Sequence, residues 1–278
     1  NLNTAFYKAV VTNGVCAAAT ITATVNVDPT TVAGTASIAS GTATICASTT
    51  APVISLTGNT GSIQWQYSTT SPSSGFTNTT GTSNPLVDNT TTKYYRALVT
   101  SGKCSSSPSN AILVTVDQIS RTGTISPSTQ TICYSGTPTD IALTGSVGNV
   151  QWQTSSTSGG TYTNMVGLTA STLPSASIDN LNTAFYKAVV TNGVCAAATI
   201  TATVNVSPTT IAGTATLAGT STICYGTLSG SLPSITLTGN TGTVQWQTST
   251  SPGGVYTNTT GTTSPVIDNG VSKYYRAL

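Results

Sequence analysis

Residues 62–68, Ser-Ile-Gln-Trp-Gln-Tyr-Ser, alternate without a break: Ile63, Trp65 and Tyr67 share one face, Gln64 and Gln66 the other. A period of two with aromatics on one side predicts a half-buried antiparallel strand with Trp65 as its core anchor. A sugar-stacking tryptophan is the alternative, but alternation with Ile and Tyr favours the core. The same Gln-Trp-Gln string surrounds Trp152 and Trp246, which take the same inward place. Residues 93–100 alternate too, with Tyr95, Ala97 and Val99 on one face and Tyr94, Arg96 and Leu98 on the other. Small residues beside a tyrosine suit a packed interior, so Tyr95 and, by register, Tyr186 point inward. An aromatic-plus-base row, Tyr94 with Arg96 and Phe185 with Lys187, then faces out. Its plain reading is a sheet face on which the base's stem covers a ring, and its sharper one a surface contact for glycan or a neighbouring chain. Residues 35–46 read as a first edge segment, 52–58 as a strand closed by a Gly58–Gly61 turn, and 111–117 as a last strand. Ser101-Gly102, Asn13-Gly14 and Asn192-Gly193 mark tight hairpins. About seven short strands per unit, with turns at regular spacing, predict an all-β chain built of β-sandwiches.

The pattern repeats. The 27 residues 1–27 return letter for letter as residues 180–206, 179 positions later. Tryptophans, doubled aromatics and cysteines all recur 87 to 94 residues apart, so one module is about ninety residues long. Modules with Phe-Tyr-Lys-Ala alternate with modules carrying Tyr-Tyr-Arg-Ala, as at residues 185–188 and 94–97. The predicted division is 1–27, the closing strands of a truncated module; 28–117 and 118–206, two complete modules; and 207–278, a module truncated before its last strand. Residues 25–34 and 204–213 join successive modules through a proline, without a Gly/Ser spacer. That predicts a semi-rigid rod of about 35 Å per module.

Composition narrows the function. Threonine supplies 61 of 278 residues, which suits pleated surfaces. Charged residues are 5%, with no glutamate and no histidine, and the net charge is +2. Scattered single bases give no electrostatic footprint for nucleic acid. No apolar run is long enough to span a membrane as a helix, so no membrane insertion is expected of this segment. Hydrolytic triads need a general base that histidine would supply, and glycosidase chemistry needs paired carboxylates. The six acids, all aspartate, sit mostly at strand ends and linkers, and the Asp-Asn pair at Asp88, Asp179 and, with a following Gly, Asp268 reads as turn chemistry rather than calcium ligation. The chain is therefore expected to be no enzyme, to have no catalytic or metal-binding residues, and to use no cofactor.

The cysteines form two series, Cys46, Cys133 and Cys224 after an apolar stretch, and Cys16, Cys104 and Cys195 past a hairpin turn. Without zinc-type spacing they read as structural disulfides, which places the chain outside the cytosol, extracellular or on a cell surface. Pairing Cys46 with Cys104 and Cys133 with Cys195 repeats one geometry in each complete module and is the expected arrangement. Cys16 and Cys224 are then left without partners.

The order Ile-Cys, strand, Gln-Trp-Gln, Gly-rich loop, Thr-Lys-Tyr-Tyr-Arg-Ala, Ser-Gly-Lys-Cys, Ile-Leu-Val-Thr-Val resembles the immunoglobulin-like repeat modules of Bacteroidota surface proteins exported by the type 9 secretion system, including giant gliding adhesins. The resemblance covers every module. It implies a tandem array of immunoglobulin-like sandwiches without catalytic residues. The chain departs from antibody domains, whose second cysteine lies two residues past the tyrosine; here the gap from Tyr95 to Cys104 is nine. The expected role is a stalk or filament segment of a large extracellular adhesin. Its partners would be neighbouring modules, other copies of the filament or surface glycans. A glycan-binding array and a passive spacer of a secreted enzyme are the alternatives.

Overall fold

The computed structural model describes residues 4–81, 83–261 and 263–278. Extended strands dominate, with single 3-10 turns at Ser175–Ser177 and Ser229–Ser231. An opening hairpin pairs β1 (Ala5–Val11) with β2 (Ala19–Val25). The second module holds β3 (Thr35–Ser40), β4 (Thr44–Cys46), β5 (Val53–Thr57), β6 (Ser62–Ser68), β7 (Thr77–Asn78), β8 (Lys93–Thr100), β9 (Ser107–Pro108) and β10 (Ile112–Asp117). The third holds β11 (Thr124–Ser126), β12 (Thr129–Cys133), β13 (Ile141–Thr144), β14 (Asn149–Ser155), β15 (Thr163–Asn164), β16 (Thr172–Leu173), β17 (Ala184–Thr191) and β18 (Ala198–Ser207). Then follow β19 (Thr214–Ala218), β20 (Ser234–Thr238), β21 (Trp246–Ser249), β22 (Thr257–Asn258) and β23 (Tyr274–Ala277).

Each complete module is a two-sheet sandwich. In the third, β11–β13–β16 packs against β12–β18–β17–β14–β15. In the second, β3–β5 packs against β4–β10–β8–β6–β7, with β9 beside β8. The first edge segment expected over residues 35–46 is thus two strands in different sheets: β3 pairs antiparallel with β5, and β4 pairs parallel with β10. The chain changes sheets at Gly41, whose φ of 85° is open to glycine, and a Cβ there would come within 3.0 Å of Pro52.

The cores follow from the alternation. Trp65, Ala97 and Val99 are 0% exposed and Tyr95 1%, packed with Ile54 from the facing sheet. Trp152, Tyr186, Ala188 and Val190 form the matching core with Ile141 and Leu173. The inward tyrosine of each module reaches back along the chain. The Tyr95 hydroxyl accepts the Asp88 N–H at 2.8 Å, Tyr186 that of Asp179 at 2.7 Å and Tyr275 that of Asp268 at 2.7 Å. A buried Trp on one strand with a tyrosine so tied to backbone upstream is the immunoglobulin-type arrangement. Ala97, two residues after Tyr95, stands where antibody domains carry a cysteine, so these sandwiches close on packing alone.

The identical hairpins β1–β2 and β17–β18 share one register: Ala5 faces Val25 as Ala184 faces Val204. Their burial differs, with Tyr7 57% exposed and Tyr186 1%. Local sequence sets the pairing, and burial comes from the strands that β14 and the facing sheet bring to one copy and not the other.

Candidate functional site at the joint between modules

The chain leaves each module at the end of its last strand and is at once held by the next. Val32 exchanges two backbone hydrogen bonds with Thr60, at 3.2 and 3.0 Å, Arg121 two with Val147 at 3.1 and 2.9 Å, and Ile211 two with Thr241 at 3.2 and 2.9 Å. Three linkers are therefore zipped onto the turn that precedes the Trp strand. An aspartate then clamps the hairpin of the following module. Asp28 Oδ2 accepts the Lys103 N–H at 2.8 Å, and Asp117 Oδ2 accepts the Val194 N–H at 2.9 Å. A linker hydroxyl adds to each clamp: Thr31 Oγ1 accepts the Ser101 N–H at 3.0 Å, and Ser120 Oγ accepts the Asn192 N–H at 3.0 Å. Asn192 Nδ2 also donates to the Gln118 carbonyl at 2.8 Å.

Both hairpins need glycine at the clamp. Gly102 and Gly193 sit at φ 50°, and a Cβ at Gly193 would fall inside the Asp117 carboxylate. Gly193→Ala is expected to cost about 1–2 kcal/mol through left-handed strain alone, and to open the joint. Chemical denaturation together with amide exchange at Val194 checks this; unchanged protection at Val194 would contradict the clamp.

The disulfide lies across this joint, which corrects the expected pairing. Cys46 is bonded to Cys195 of the following module, with Cα atoms 4.9 Å apart. Cys104 and Cys133, expected to pair with Cys46 and Cys195 inside their modules, are free thiols in this chain, as are Cys16 and Cys224. The physical reason is the parallel pairing of the short strand. Cys46 stands opposite Asp117 and Cys133 opposite Ser207, at the pole where the chain leaves the module. Cys104 and Cys195 follow the hairpin at the other pole. From Cys195 to Ser207 the chain advances by roughly 40 Å if extended, whereas a disulfide needs Cα atoms about 4.4–6.8 Å apart. Cysteines of one module cannot meet, and cysteines of successive modules do.

The outward row is half-buried and internally engaged. The Arg96 guanidinium lies 3.8 Å from the Phe76 ring centre, and its Nε donates to Gln66 Oε1 at 3.0 Å. Lys187 Nζ lies 3.7 Å from the Tyr162 ring centre, and the Arg276 guanidinium 4.1 Å from that of Tyr256. Tyr94 and Phe185 flank these bases as partly exposed rings. The bases are thus stacked within their own module. The covering rings were missed in the sequence reading, although an aromatic-Thr-Asn string recurs at residues 76–78, 162–164 and 256–258. The asparagine of that string accepts from the neighbouring glutamine, Gln66 to Asn78 at 3.0 Å and Gln153 to Asn164 at 2.9 Å.

Asp88 accepts from Lys93 Nζ at 2.6 Å and from Thr90 and Thr91, and the lysine above all holds its carboxyl well below the usual carboxylate range. It serves the turn before β8. Among the described residues no cluster of three or more Cys, Asp, His or Glu could hold a metal ion. Among the described residues no helix is long and apolar enough to cross a membrane.

Among solved structures, the chain aligns with that of a Ca2+-stabilized adhesin that helps an Antarctic bacterium reach out and bind ice. The identity is 16% and the TM-score 0.32, over 98% of this chain and 80% of that one. No curated protein matches. Residues 33–118 and 121–208 each match the family described as "Domain of unknown function (DUF8696)". The two matches contain the two complete sandwiches and together span more than half of the chain, which therefore belongs to the DUF8696 family as a tandem repeat.

Proposed function

We propose that this chain is a structural segment of an extracellular stalk or filament, part of a large bacterial cell-surface adhesin of the Bacteroidota type exported by the type 9 secretion system. The observation that carries the reading is the joint. Linkers zipped onto the next module, an aspartate clamp and a disulfide across the boundary resist bending and pulling between modules. An array without such constraints would flex at its linkers. The Cys46–Cys195 bond supports an oxidising, extracytoplasmic setting. The absence of histidine supports a role without catalysis. The glycan-binding alternative is weakened because Arg96 and Lys187 are already stacked on Phe76 and Tyr162.

Small-angle scattering of the oxidised protein is expected to give an extended rod with a length increment of about 35 Å per module. A compact or broadly flexible particle would overturn the stalk. Titration calorimetry against bacterial and plant polysaccharides is expected to show no saturable heat; saturable binding abolished by Arg96→Ala or Tyr94→Ala would favour the glycan-binding array instead.

A further inference from the structure

We propose that the Cys46–Cys195 bond is one rung of a ladder. In the assembled array, the strand-end cysteine of every module is bonded to the post-hairpin cysteine of the module after it. Cys133 is then bonded to the post-hairpin cysteine of the module that contains β19–β23. Cys104 is bonded to the strand-end cysteine of the module to which β1–β2 belong. Cys16 and Cys224 take the corresponding places one module further out.

Four observations place the free thiols in rung positions. Cys133 has the register of Cys46, opposite the last residue of its module's final strand, Ser207 in one case and Asp117 in the other. It is exposed, and Cys104 is partly exposed. Cys104 has the turn of Cys195: its N–H donates to the Ser101 carbonyl at 2.8 Å, as that of Cys195 donates to Asn192 at 3.0 Å. Their sulfurs also lie against the incoming linker alike, Cys104 Sγ 3.4 Å from the Pro29 carbonyl oxygen and Cys195 Sγ 3.5 Å from that of Asp117.

The first two boundaries are alike, and at the third Ser207 stands where the others have the clamp aspartate. The Asp28 clamp on the Lys103 turn repeats the Asp117 clamp on the Val194 turn, so the module before the first boundary is docked as the second module is docked on the third. The linker after β18 is zipped through Ile211 and Thr241 as the other two are. Cys133 is therefore presented to the pole of the next module where its hairpin belongs. The β1–β2 hairpin has the sequence and register of β17–β18, which complete a sandwich with β12 and its strand-end cysteine. The module of β1–β2 accordingly has a strand-end position facing Cys104.

Each rung forms one S–S bond from two thiols, releasing two protons and two electrons. A disulfide oxidant of the extracytoplasmic compartment, a protein or low-molecular-weight disulfide, accepts them: its own S–S bond breaks and two thiols leave.

The test uses the full-length natural protein and rests on the array reading. Free thiols are alkylated without reduction, the protein is digested, and linked peptides are sequenced by mass spectrometry. The expected result is a Cys46–Cys195 link, a link from Cys104 to an Ile-Cys peptide of the preceding module, and one from Cys133 to a post-hairpin peptide of the following module. Alkylated Cys104 or Cys133 would overturn the ladder, as would either being linked within its own module or to a second chain. A Cys195→Ser variant adds an independent reading: Cys46 becomes alkylatable and does not turn to Cys104. A Cys46–Cys104 bond in that variant would also overturn the proposal. Rod-like scattering from a protein with alkylated Cys104 would remove the ladder and leave the stalk standing.

Discussion

Cys46→Ser, or selective reduction of the bond, is expected to weaken the second and third modules together by up to about 5 kcal/mol, the chain-entropy value for a crosslink between cysteines 149 residues apart. Neither sulfur belongs to the Trp65 or the Trp152 core, so both sandwiches remain folded below the transition. What the bond restrains is the unfolded chain and the angle between modules. For a unit of two modules that loss corresponds to a fall in melting temperature on the order of 10–20 °C. Scattering should show a larger radius of gyration at a temperature where near-ultraviolet dichroism still reports ordered tryptophans. A melting temperature unchanged by reductant, with thiol titration proving reduction complete, would show that the crosslink contributes nothing to the joint.

This expectation differs from the one that the intramodule pairing would give. A bond inside each sandwich would make every module sensitive to reductant separately. A bond across the joint couples two modules whose cores stand without it, and breaking it converts a linked pair into neighbours held by the Asp117 clamp and the Arg121–Val147 zipper. The mechanical meaning of the cysteines thus depends on which pole of the sandwich each occupies.

That pole was the part of the site hidden in the sequence. The all-β fold is legible because alternation around Trp65 and Tyr95 is local and periodic, and because Gly-containing turns punctuate it. The tandem organisation is legible in the 27-residue identity itself. The short strand of Cys46 is another matter. Its three residues pair parallel with β10, more than sixty residues later in the chain, and nothing in Thr-Ile-Cys announces a parallel partner. Without the strand's direction, the sequence does not tell which pole of the sandwich Cys46 occupies, and the intramodule pairing with Cys104 follows from repetition alone. The joint was equally obscure: Asp28 and Asp117 read as linker residues, and only the fold brings their carboxylates over the hairpins of Gly102 and Gly193. The outward row was legible as a face but not as a stack, because Phe76 and Tyr162 reach Arg96 and Lys187 from a different strand connection.

Trp152→Ala is expected to destabilise the third module by about 3–5 kcal/mol, the usual range for truncating a fully buried aromatic. Trp152 is 0% exposed, in a core that includes Ile141, Leu173, Tyr186 and Val190. Its indole N–H donates to the Ala170 carbonyl at 2.9 Å, so truncation also leaves a carbonyl without its partner. Single domains hold a margin of only about 5–15 kcal/mol, and a sandwich of this size with no ion pair among the described residues of its module belongs near the lower end. The variant should therefore unfold that module at far lower denaturant. Trp152→Phe, which keeps most of the volume, should lose less. Tyr186→Phe removes only the acceptor of the Asp179 N–H and should cost about 1–3 kcal/mol. Urea titration followed by fluorescence of Trp65 and Trp246 and by far-ultraviolet dichroism separates the third module from its neighbours. A Trp152→Ala loss below about 1 kcal/mol would mean that this core closes without its tryptophan, and the ranking of the three variants would have to be abandoned.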